Sequence, residues 1–182
     1  MARFLSHLII SLGLAFTTIH VAASDVPIAR DFVRLGETAK SGGQVILLSV
    51  SQEHCAFCRK IKDEILRPML ISGSYDDRVL IRELLIDPGE QITDFAGQRR
   101  AARDFADQYK VWVTPTLLFL APDGAELTAR MLGIQTVEMY GYYVDESIDR
   151  ALARLRDADA GPYVPKQEDI GAWPYSWDDL TE

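Results

Sequence analysis

The sequence predicts an α/β protein with a central mixed four-stranded sheet flanked by helices, and three observations carry that prediction. A short, predominantly apolar run, Val45 to Val50, is the kind of segment that forms a strand buried on both faces, and Val79 to Ile86 reads as a second apolar strand. Between them lies a segment of helical periodicity, and strand, helix and strand in that order make a right-handed parallel unit. A third run, Thr116 to Leu120, meets the turn signal Pro122-Asp123-Gly124, which folds it into an antiparallel hairpin. Helices before and after this set leave few other packings.

The chain opens with Arg3, an apolar stretch from Phe4 to Ala15, and Val21-Ala22-Ala23 ahead of Ser24. A basic start, a short apolar run and small residues at alternate positions are the parts of a secretory signal, so residues 1–23 are expected to be cleaved after Ala23. The run is interrupted by Ser6, His7 and Ser11 and falls short of the roughly 20 apolar residues a membrane span requires. An exported, periplasmic protein is therefore expected, with one domain over 24–160 and a tail over 161–182. Of 182 residues about 159 remain, enough to fold around one core. The formal charge of −8 becomes −9 with the loss of Arg3, since residues 1–23 contain no Asp or Glu. An acidic chain with a pI of about 4.9 is poorly suited to nucleic acid or an anionic membrane face, which leaves proteins as the expected partners.

In chain order, Phe32, Val33 and Leu35 predict a helix from Ala29 to Ala39, stopped by Gly42-Gly43. After the first strand, Phe57, Ile61, Ile65 and Met69 recur every four residues among charges, predicting a helix with one buried stripe that Pro68 kinks or ends. The segment Ser72 to Asp77 reads as loop. A further helix is predicted over Gln98 to Tyr109, with Ala102, Phe105, Ala106 and Tyr109 on one face. The strand returning from the hairpin begins near Glu126, and either Gly133 or Gly141 ends it. Ile148, Leu152 and Leu155 predict a final helix from Asp145 to Arg156. Beyond Gly161 the composition turns to Pro162, Pro165, Trp173, Pro174, Tyr175 and Trp177, a weakly ordered terminus or a segment that docks on the body.

The two cysteines, Cys55 and Cys58, enclose only two residues, so a bridge between them constrains the unfolded chain little. Spacing favours chemistry over stapling. A buried strand running into Cys-x-x-Cys at a helix start places the first sulfur among unpaired amide donors and partial positive charge, which lowers a thiol pKa from about 8.5. Cys55 is then the exposed attacking thiol, and Cys58, one turn in, resolves the mixed disulfide.

Through Cys55-Ala56-Phe57-Cys58, Val113-Thr114-Pro115-Thr116 and the Leu118 to Gly124 run, the sequence resembles the thioredoxin superfamily. Within it the likeness is to exported SoxW-type, thioredoxin-related proteins, and it covers Val45 to Leu155. The resemblance implies a thioredoxin fold and a redox-active Cys55/Cys58 disulfide with no other cofactor. It also implies a cis Pro115 set against the cysteine pair, and a Thr114 backbone that pairs with the substrate chain. Protein-disulfide oxidoreductase activity on exported protein substrates follows, more as a reductant than an oxidant. In an oxidising compartment a reductant is recharged by a membrane thiol electron donor.

Three departures stand out. His54 precedes Cys55 and Ala56-Phe57 fill the pair, where the best-known members carry Trp-Cys-Gly-Pro-Cys. The buried Asp that those members carry six residues before the first Cys is here Ser49, which leaves Glu53, His54 or water to carry the proton. His54, the one histidine outside the signal, reads as a solvated loop residue or as an aid to the thiolate and its substrate. Met131 to Tyr140 is longer than the usual stretch before the last helix.

Other chemistries fit less well. Haem attachment needs His after the second Cys, and position 59 is Arg. Structural zinc needs four ligands. A copper carrier built on Cys55, Cys58 and His54 would be cramped, so no metal is expected; this carrier and a non-enzymatic binding module stand as the alternatives.

Overall fold

The computed structural model describes residues 25–134, 137–157 and 159–166. The expected signal segment, residues 1–23, and residues 167–182 of the tail lie outside them. In order come α1 (Phe32–Gly42), β1 (Val45–Ser51), α2 (Ala56–Ile61), a π-helical turn (Lys62–Leu66), α3 (Arg67–Ser72), β2 (Val79–Leu85), β3 (Gln91–Thr93), β4 (Arg99–Ala101), α4 (Ala102–Gln108), β5 (Thr116–Leu120), β6 (Met131–Leu132) and α5 (Val137–Arg156). The main sheet has the order β2-β1-β5-β6, with β1 and β2 parallel and β5 antiparallel to both neighbours. This is the predicted mixed four-stranded sheet.

Every residue of β1 is buried, as a strand covered on both faces requires. Alternation divides its side chains between two cores. Val45 and Leu47, with Ile81 of β2 and Phe119 of β5, face Ile61, Leu66, Val144 and Ile148 from α2, the π turn and α5. Ile46, Leu48 and Val50 face Phe32 and Leu35 of α1 and Phe105 and Ala106 of α4. Each large side chain fully removed from water contributes about 1.5–3 kcal/mol, so the two faces together hold the helices on the sheet. At the far end of the first face the odd-numbered positions turn polar: Ser49, Ser51 and Glu83 are all buried.

Asp31 caps α1 through a bond from Arg34 N to its Oδ1 (3.0 Å), and Gly43, at φ 62°, closes it by donating to Ala39 and Lys40 carbonyls. The helix therefore lies three residues later than Ala29 to Ala39.

The predicted four-residue stripe after the cysteines needs correction. Phe57 is 62% exposed and Ile65 only partly buried, while Cys58, Ile61, Leu66 and Met69 are buried. The π turn explains why Leu66 replaces Ile65: Arg67 N–H reaches back five residues to Lys62 O, which inserts one extra residue between Ile61 and Leu66, whereas Phe57 lies ahead of it in the first turn of α2. Pro68 has no N–H for the Glu64 carbonyl, and the helix loosens upstream of it and runs on to Ser72.

The helix predicted over Gln98 to Tyr109 is shorter, because residues 99–101 pair with β3 instead. The returning strand starts where expected, with a bridge between Leu120 and Glu126, but residues 128–130 leave the ladder before β6 resumes it. The excursion carries Arg130 inward, where it is 7% exposed, pairs with Glu126 and donates to Tyr109 O. Gly133, at φ 59°, ends the strand and donates to Pro115 O (2.8 Å).

Gly141 lies inside α5, which begins at Val137, well before Asp145. Tyr140 and Val144 are buried and continue the stripe of Ile148 and Leu152 toward the N-terminus. Packing of that stripe against the sheet outweighs a glycine and three tyrosines of modest helix propensity. Past α5 the first tail residues stay near its last turn: Arg154 donates to Gly161 O (2.7 Å) and lies over the Tyr163 ring. Among the described residues no helix is long and apolar enough to cross a membrane.

Candidate redox site

β1 delivers the chain to the C-terminal end of the parallel pair, and Gln52-Glu53-His54 turns it into α2. Cys55 occupies the N-cap position with extended backbone (φ −104°, ψ 106°), and its Sγ accepts from Cys58 N at 3.1 Å. Cys58 is one turn into the helix. The two are joined as a disulfide, Cα to Cα 5.2 Å. The helix start leaves Cys55 half-exposed, whereas Cys58 is 4% exposed beneath its own helix.

The loop entering β5 closes over the pair. The Thr114-Pro115 peptide is cis, with Pro115 buried. Cys55 Sγ lies 3.8 Å from Thr114 O and 3.7 Å from Thr114 Oγ1, and that hydroxyl donates to Gln52 Oε1 (3.2 Å). Thr116 Oγ1 donating to Val113 O (2.7 Å), with the bond from Gly133 to Pro115, pins the loop on both sides. Cys55, Cys58, Thr114 and Pro115 are thus brought together from segments far apart in sequence. His54 is exposed and makes no hydrogen bond to either sulfur among the described residues. Phe57 and Trp112, each a near chain neighbour of the site, present exposed aromatic rings.

Two residues that sequence reasoning passed over lie under the site. Glu83 of β2 is 3% exposed, and Lys62 bonds its carboxylate at 3.0 and 3.3 Å. The signal was present: an acid in the middle of an otherwise strand-like apolar run, in a position whose burial the pattern already implied. Among the described residues no cluster of three or more His, Cys, Asp or Glu side chains is placed to hold a metal ion.

A helix-capping disulfide with one open and one covered sulfur, set against a cis-proline loop on a mixed four-stranded sheet, defines a thiol–disulfide site on a thioredoxin-like fold. Residues 35–147 match the family described as Thioredoxin-like domain, and the chain belongs to that family. Its backbone is similar to that of DsbH oxidoreductase (19% identity, 75% of this chain and 94% of that one, TM-score 0.51). Other similar structures are a mutant of a poplar thioredoxin h (17% identity, 77% and 94% covered, TM-score 0.48) and mitochondrial thioredoxin 3 of Saccharomyces cerevisiae in its oxidised form (14% identity, 68% and 93% covered, TM-score 0.46). Among curated proteins none matches the sequence.

Proposed function

We propose that this protein is an exported protein-disulfide oxidoreductase of the SoxW-like kind, working in the periplasm as a reductant of protein disulfides and recharged by a membrane thiol electron donor. The observation that carries the reading is the asymmetry of the cysteine pair: Cys55 half-exposed at the helix start against Thr114, Cys58 4% exposed behind it. A thiolate at Cys55 attacks the partner disulfide, a mixed disulfide forms there, and Cys58 displaces the partner as a dithiol. The Thr114 backbone, beside Cys55 Sγ, is the edge to which an extended substrate segment pairs. The arrangement of Arg3, the apolar stretch and Ala23 supports export.

The experiment is substrate trapping in cells. In Cys58→Ser the mixed disulfide is not resolved, and exported proteins accumulate covalently on Cys55, visible on non-reducing gels; in Cys55→Ser no adducts form. A redox titration of the Cys55/Cys58 couple against glutathione, giving a potential more reducing than that of the exported compartment, supports the reductant role. Absence of adducts from both variants, together with copper retained by the wild-type protein, overturns the reading in favour of a metal carrier.

A further inference from the structure

We propose that Glu83, held in place by Lys62 and Ser51, is the proton acceptor for Cys58 in the step that closes the Cys55–Cys58 disulfide. The proposal rests on the disulfide-exchange reading above and assigns a group within that site.

Ser49 holds the β1 position where the best-known relatives place a buried acid, and in the β1–β2 ladder its register partner is Glu83. Residues 79, 81 and 83 alternate onto the face that α2 covers, so the Glu83 side chain points beneath the active-site helix. Its backbone is held from the other side: Glu83 N donates to Pro27 O (2.9 Å), and Ala29 N donates to Glu83 O (2.7 Å). The carboxylate accepts from Ser51 Oγ and from Lys62 Nζ. Lys62 stands four residues after Cys58, which sets the two side chains one above the other on the same helical face.

Cys58, Glu83, Lys62, Gln52, Arg59 and Leu85 all line one cavity of about 600 Å³. That volume admits water, and its walls supply the polar partners that ordered water needs. The charged groups facing it are Asp25 from the N-terminal segment, Glu53 from the β1–α2 loop, Arg59 and Lys62 from the active-site helix, and Glu83 from β2. Asp25 and Glu53 are exposed and their charge is levelled by solvent; Glu83 alone among the acids is buried. A buried ion pair adds little stability over an apolar pair, and one set beside a reactive sulfur is a candidate for chemistry.

Once Cys55 carries the partner in a mixed disulfide, the Cys58 thiol passes its proton through water to the Glu83 carboxylate. The Cys58 thiolate attacks Cys55 Sγ, the Cys55–Cys58 bond forms and the Cys55–partner bond breaks. The electron pair leaves on the partner sulfur, which takes up a proton, and Glu83 returns its own proton to solvent. Two electrons pass from the cysteine pair to the partner.

The test is stopped-flow reaction of the reduced full chain with 5,5′-dithiobis(2-nitrobenzoate). The first thionitrobenzoate released reports attack by Cys55, and the second reports closure by Cys58. The probe needs no physiological substrate, so failure of the oxidoreductase reading, judged by trapping, is separate from failure of this assignment. Glu83→Gln is expected to leave the first phase within about twofold and to slow closure on the order of 100-fold near pH 6.5. The gap should disappear above about pH 9, where Cys58 ionises unaided. Should Glu83→Gln not fold, Lys62→Met and Ser51→Ala carry the test, because each keeps the carboxylate and changes what holds it; both are expected to move the acid limb of the closure profile to higher pH. Closure rates and pH profiles equal to those of the wild type in the folded variants overturn the proposal, as does equal slowing of both phases.

Discussion

Cys55 Sγ lies 3.8 Å from the carbonyl oxygen of Thr114, where the active-site helix meets the loop entering β5. The contact joins residues 59 apart in sequence and leaves one sulfur of the pair open to a partner. Helix amides stabilise charge on that sulfur, whereas the helix itself covers the other.

In the reduced protein, iodoacetamide is therefore expected to modify Cys55 at least about tenfold faster than Cys58, at a pH below that at which free cysteine reacts. Peptide mass spectrometry after a timed quench reads the ratio. Because His54 is exposed and bonded to neither sulfur, His54→Ala is expected to leave the Cys55 profile within about 0.3 pH unit. A larger upward shift would assign His54 to the thiolate.

Arg130 and Glu126 form a buried pair, their side chains 2% and 8% exposed, and Arg130 also donates to the Tyr109 carbonyl. Glu126→Ala strands a guanidinium inside the protein and is expected to cost about 3–5 kcal/mol in urea unfolding. Replacing both partners with apolar residues of similar volume should cost much less, since neither charge is then left unpaired. Equal losses in the two variants would refute the pairing argument.

Tyr140 is 4% exposed, and its hydroxyl has no hydrogen-bond partner among the described residues. Burial pushes its pKa well above the usual tyrosine value, and burial does the same for Tyr109, whose hydroxyl donates to Gly124 O (2.9 Å). A raised folded-state pKa means the folded protein holds those protons more tightly. The stabilisation is complete below about pH 10 and is lost as pH rises through the folded-state values. Tyr140→Phe removes an unsatisfied hydroxyl, so at pH 7 it is expected to be neutral or stabilising by about 1 kcal/mol. It should also flatten the fall in stability between about pH 10 and 12, measured by denaturant unfolding across that range. A destabilised Phe variant at pH 7 would show that the hydroxyl has a partner after all.

Three strands of the main sheet were legible in the sequence, because β1 and β5 are predominantly apolar runs buried on both faces and β2 is apolar but for Arg82 and Glu83. Cys55, Cys58, Thr114 and Pro115 were legible because local spacing at a helix start, and a Thr-Pro opening a strand, are features of neighbouring residues. What escaped was non-local. The start of α5 depends on Tyr140 and Val144 packing on a sheet assembled from strands far apart in the sequence, and local propensity at Gly141 argues against it. Phe57 lies in solvent in the first turn of α2, where Cys58 is the buried residue, and the π turn ahead of Pro68 moved the next buried position from Ile65 to Leu66. The early exit of the returning strand follows from the burial of Arg130 against Glu126 and Tyr109.

The two levels meet at the floor of the site. The sequence by itself determined that Ser49 is not an acid and that Glu83 sits in a strand. Only the tertiary structure decided that they are neighbours, because the register of two strands is set by how their apolar faces pack together and not by either strand alone. It likewise brought Lys62, one turn past Cys58, to the Glu83 carboxylate, since burying an acid without a compensating donor would cost more than the fold can supply.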